Sequence, residues 1–161
     1  MMIGPLVRAL FAMIAAVLSS GLVRAEEGQV WLSKSNGSLV TLAYGPVDPA
    51  KPPFFLLSCF NGMDVAVLDL HQEIAGAKPG DKVGIEISAG SATASLEGET
   101  SHDEVSGLTV AEASDIKVKP VLAVLSEKGQ VTVKVGATST SLGEQGRADA
   151  VGNFAIDCKL D

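Results

Sequence analysis

The 161-residue sequence has little of what most reactive sites are built from. Its two histidines, His71 and His102, are the only side chains whose ordinary titration falls near neutral pH. There is no Gly-x-Ser-x-Gly elbow, no His-Glu-x-x-His and no glycine-rich phosphate loop, so hydrolase and nucleotide-binding classes find no support. Basic residues are also scarce, 12 against 19 acidic, and the lysines are scattered singly. That excludes the clustered cations a nucleic-acid backbone needs and argues against binding to anionic membrane surfaces. Past residue 25 no apolar run is long enough to span a bilayer, which takes about 20 residues.

The N-terminal segment up to Ala25 does contain an apolar run, with a distinct layout. Arg8 precedes a short apolar stretch from Ala9 to Leu18, and Val23-Arg24-Ala25 places small or apolar residues where signal peptidase reads them. Residues 1–25 are therefore expected to be a signal peptide, and residues 26–161 one β-rich domain that is periplasmic or secreted, with no stable membrane insertion after cleavage. The exported part loses Arg8 and Arg24 but no acid, which leaves 10 basic against 19 acidic residues, net −9. An even pair of cysteines in an exported chain points to one structural disulfide, Cys59 with Cys158, which stand far apart in the chain, unlike a redox Cys-x-x-Cys motif.

Six aromatic residues remain beyond residue 25, and Phe54, Phe55 and Phe60 fall in one stretch with Cys59. The run Pro53 to Phe60, opened by Pro52-Pro53 and closed by Asn61-Gly62, reads as a central strand buried on both faces. Around it lie hairpin signals. Ser35-Asn36-Gly37-Ser38 separates two strand-like runs and predicts a type I′ turn on Asn-Gly, and Asn61-Gly62 predicts a second hairpin into Met63–His71. Lys78-Pro79-Gly80-Asp81 has type II turn chemistry. Alternation at Val83, Ile85, Ile87 and at Ala92, Ala94, Leu96 predicts two half-exposed strands. Val131, Val133 and Val135 make another, returning through Gly136-Ala137 into Thr138–Leu142. Pro120, followed by Val121, Leu122, Val124 and Leu125 and stopped at Gly129, predicts a two-turn helix with proline at its first position.

The end of the chain reads two ways, since Val151, Phe154, Ala155 and Cys158 share a helical face while Phe154, Ile156, Cys158 and Leu160 alternate as in a strand. Here a resemblance enters. The succession Val121-Leu122-x-x-Leu125, a glycine-bounded turn, Val131-x-Val133, a second strand, Gly146 and Phe154-x-x-x-Cys158 resembles the C-terminal part of invasion-associated locus B proteins and of some type VI secretion accessory proteins. It covers only the chain from Val121 onward, and the front half from Trp31 to Cys59 departs from the cysteine-richer pattern of locus B proteins. The resemblance implies a periplasmic β-rich module ending in a helix, and carries over no active site. The fold expected is mainly β: an antiparallel β-sandwich or flattened barrel of about eight strands with one or two short helices, including a C-terminal helix.

Two polar clusters are candidates for chemistry. On a strand, Asp69, His71 and Glu73 would share one face and offer two carboxylates and an imidazole to zinc or copper; a solvated strand exit explains the same residues. Ser101-His102-Asp103-Glu104 is expected in a loop, where functional residues and ordinary polar residues both gather. Trp31 and Tyr44 are read as core residues before ligand-lining ones. Nothing calls for a cofactor. The function expected is a binding or accessory module with a protein partner in the cell envelope; the alternative is a metal-dependent or hydrolytic enzyme using His71 or His102.

Overall fold

The computed structural model describes residues 28–160; the expected signal peptide lies outside them. Nine strands form one antiparallel sheet: β1 (Gln29–Asn36), β2 (Leu39–Pro46), β3 (Phe55–Phe60), β4 (Val65–Leu70), β5 (Lys82–Ala89), β6 (Ala92–His102), β7 (Thr109–Lys117), β8 (Val131–Val135) and β9 (Thr138–Leu142). Their spatial order is β1-β2-β3-β4-β7-β6-β5-β8-β9, and the sheet curls into a half-barrel. Two helices, α1 (Val118–Leu125) and α2 (Arg147–Asp157), complete it, α1 against β5 and β6 and α2 against β1 and β2. The terminal segment is a helix, as the resemblance implied. Among the described residues no helix is long and apolar enough to cross a membrane.

Period 2 builds the core. Val40, Leu42 and Tyr44 on β2, Phe55, Leu57 and Cys59 on β3, and Ile85 and Ile87 on β5 all point inward and are buried. Val121 and Leu125 of α1 and Val151 and Phe154 of α2 are buried with them. The curl brings the β1 edge to the chain that follows β9: Trp31 N donates to Gln145 O at 2.9 Å and Trp31 Nε1 to Gly143 O at 2.7 Å. Tyr44 Oη accepts Gly143 N at 3.0 Å. Trp31 and Tyr44, ring centroids 5.1 Å apart, are thus core residues with their polar ends satisfied.

Several expectations are corrected. β3 is third in the sheet and alternates, with Leu56 and Ser58 half-buried and Phe60 exposed, because only its inner face is covered. The first hairpin turns on Gly37-Ser38: Asn36 still pairs with Leu39, and positive φ falls on Gly37 alone, the pattern of a type II′ turn. Pro120 is the third residue of α1, still in the first turn, where its missing N–H costs nothing. Of Val105, Leu108 and Val110, only Val110 lies in β7. In β7 the inward residues are Ala111, Ala113 and Ile116, and a bulge carrying Asp115 at φ 55° breaks their period.

The disulfide expected between Cys59 and Cys158 is present, with Cα atoms 6.3 Å apart and both residues fully buried. It ties β3 to the end of α2, where Gly62 N also donates to Cys158 O at 3.1 Å. Beyond Cys158 the helix stops in a Schellman arrangement. Leu160 N bonds Ala155 O and Lys159 N bonds Ile156 O, with Lys159 left-handed at φ 52°.

Candidate functional site: a cleft at the long-loop end

At one end of the half-barrel the connections are long: residues 47–54, 71–81 and 103–108. The first and third of them, with His71 at the start of the second, border an open cleft of about 910 Å³ lined by Pro49, Pro53, Asp69, His71, His102 and Asp103, among others. The two polar clusters, remote from each other in sequence, therefore meet in space. The cause is the order β4-β7-β6, which places the ends of β4 and β6 on either side of the start of β7.

His71 follows the last residue of β4 and donates its backbone N–H to Phe54 O at 2.8 Å, which fixes it beside the proline segment. Its Nδ1 lies 3.5 Å from Asp103 Oδ2, both side chains partly exposed. Asp103 organises its own loop. Its Oδ1 accepts Val105 N at 3.1 Å in an Asx turn, its Oδ2 accepts the Ser106 hydroxyl, and its backbone pairs with Leu108 and Gly107. The Ser106 hydroxyl foremost, then the Val105 amide, hold the Asp103 carboxyl below its usual range. Asp69 is shifted the opposite way: half-burial raises it, and the carboxylate of Glu112, directly opposite on β7, adds to the effect.

Glu73 is not in this cleft. β4 ends at Leu70, so strand geometry no longer aligns Glu73 with Asp69, and its carboxylate accepts Thr109 N at 2.8 Å. Asp69, His71 and Glu73 accordingly do not converge, and among the described residues no three His, Cys, Asp or Glu side chains gather to hold a metal ion. Ser101 and His102 end strand β6 instead of lying in a loop. The inward period continues past Leu96 through Gly98 and buried Thr100, whose small or polar side chains hide it from an apolar pattern.

The proline segment, residues 47–54, forms one wall of the cleft. It is seated on β2 at Gly45, where a Cβ would lie 2.5 Å from Pro53 Cα, so only glycine permits that approach. Its signal was the cluster Pro46, Pro49, Pro52 and Pro53, a density that makes a connection rigid enough to serve as a wall. Comparison with protein-family models, with curated proteins and with solved structures finds no match to this chain.

Proposed function

We propose that this protein is an extracytoplasmic binding module that docks a segment of a protein partner in the cleft between the proline segment and the two histidines. The observation that carries this is the cleft's chemistry. A rigid apolar wall of prolines, which also carries Lys51, faces His71 and His102 together with Asp69 and Asp103. That mix of apolar surface with both signs of charge suits a polypeptide better than a ligand of one charge. The disulfide and the signal-like N-terminus support export to an oxidising compartment, the periplasm or the exterior.

The enzyme alternative has one observation in its favour, the His71–Asp103 pair, since a carboxylate beside an imidazole can orient a general base. A serine nucleophile, however, would need its hydroxyl on the imidazole, whereas Ser106 gives its proton to Asp103.

A photoreactive residue at Ala50, on the cleft rim, should capture one partner in the native compartment, and the same residue at Ser139 on β9 should not. The capture should vanish in His71→Ala/His102→Ala. Equal capture from both positions would overturn the docking reading. Stoichiometric zinc or copper in the purified protein, lost in His71→Ala, would move the assignment to the enzyme.

A further inference from the structure

The proline segment has a second side. Away from the cleft it overhangs the outer face of the sheet and closes a groove of about 260 Å³ whose floor crosses three strands. The register sets Leu32, Ala43 and Leu56 side by side on β1, β2 and β3, and Val47 and Pro49 come over them from the loop. Leu32 is 46% exposed and Val47 62%, an apolar surface left open to water. In an acidic chain, the groove has no acidic lining residue; its charges are Lys34 and Lys51, both exposed and neither ion-paired among the described residues. Asp69 is next in the floor's row on β4, but it lies past the groove and lines the cleft.

We infer that this groove is a binding site for a single-chain fatty carboxylate, with the acyl chain on the Leu32-Ala43-Leu56 floor and the carboxylate at Lys34 and Lys51. The apolar floor removes methylenes from water. Lys34 and Lys51 attract the head group, and no carboxylate lines the groove to repel it. The loop prolines keep the groove formed before the ligand arrives, so little ordering cost is added on binding. The site is distinct from the peptide-docking cleft and shares only its wall, Pro49, Lys51 and Pro53.

Calorimetric titration of the purified protein with decanoate, decylamine and decanol tests the assignment. Decanoate should saturate with a dissociation constant below about 1 mM, with decylamine and decanol about tenfold weaker. Lys34→Glu/Lys51→Glu should weaken decanoate about tenfold with an unchanged melting curve. Ala43→Trp, which fills the floor, should abolish binding, and His71→Ala/His102→Ala should leave it intact. The inference is overturned if decylamine or decanol binds as well as decanoate, or if no ligand saturates. Binding lost with the histidines but kept in Ala43→Trp would place the ligand in the cleft and overturn it too. A dimer in sedimentation that Ala43→Trp dissociates would overturn it as well, by showing that a second copy fills the groove.

Discussion

The two ends of the half-barrel are built on opposite plans. At one end the strands are joined by Gly37-Ser38, residues 61–64 and Gly90-Ser91, and both helices, the disulfide and the Schellman stop are gathered there. At the other, beside the short Gly136-Ala137 turn, three longer connections stand free of helices, and residues 47–54 and 103–108 with His71 border the cleft. Short turns leave a backbone little choice, whereas longer loops can place side chains for contact on a scaffold held elsewhere. The pinned end therefore carries the stability, and the loop end presents the side chains of the proposed site.

Cutting the tie between β3 and α2 tests that division most severely. The disulfide closes a loop of about 100 residues, for which the chain-entropy estimate is roughly 4.7 kcal/mol, an upper figure because residual unfolded structure reduces it. Against a domain stability of about 5–15 kcal/mol this is a large share. Cys158→Ser, or reduction, should lower the melting temperature by many degrees while capture of the partner at Ala50 persists at low temperature. A variant that melts like the parent would mean that packing alone pins this end.

The next effect is smaller and more local. Arg147, 5% exposed, donates through Nη2 to Glu127 O and Gly129 O at 2.7 Å each and so fastens the start of α2 to the chain leaving α1. A cation just past a helix C-terminus also meets its negative end. Arg147→Leu keeps apolar bulk but leaves those carbonyls bare, at a cost of about 2–3 kcal/mol. Urea unfolding measures it. Amide exchange should speed up in both helices and stay unchanged in residues 103–108, and equal acceleration at both ends would erase the distinction between them.

How legible each end was follows from the same contrast. The pinned end could be read locally: Asn61-Gly62, Pro120 to Gly129, the alternating valines of β8 and the lone cysteine pair each carry their own signal. Exceptions were α2, whose local pattern fitted helix and strand alike, the first turn, which falls on Gly37-Ser38, and backbone details such as the left-handed Lys159 where glycine is usual. The cleft was legible only in pieces. Both histidine clusters stand out in the sequence, but their meeting depends on β7 lying between β4 and β6, a long-range pairing with no local trace. β7 itself was masked because alanines fill its inward positions and a bulge shifts its period.

The smallest effect has the opposite sign, and for that reason says the most about the loop end. Asp69 lies half-buried in the cleft facing Glu112, and both influences raise its pKa above the ordinary 3.8. Below the unfolded-state value the carboxyl is neutral in both states and the folded protein bears no penalty. As pH rises through the raised folded value the native state must ionise a carboxyl it holds poorly, and that increment of stability is lost. Asp69→Asn should therefore stabilise the protein at neutral pH. Because the group is half-exposed, the gain is discounted to about 0.5 kcal/mol, roughly 2 °C in melting temperature. The difference from the parent should shrink to nothing as pH falls below the ordinary carboxylate range. Asp103 runs the other way: its lowered pKa contributes stability above the ordinary carboxylate range that is lost on acidification. Asp103→Asn should thus lose stability at neutral pH. If thermal melts across pH show Asp69→Asn destabilised at neutrality, then Asp69 is held for structure and the loop end is no less stability-bearing than the pinned one. If the gain appears, the protein keeps at its cleft a carboxylate that folding alone would discard, as expected where a partner's cation meets it.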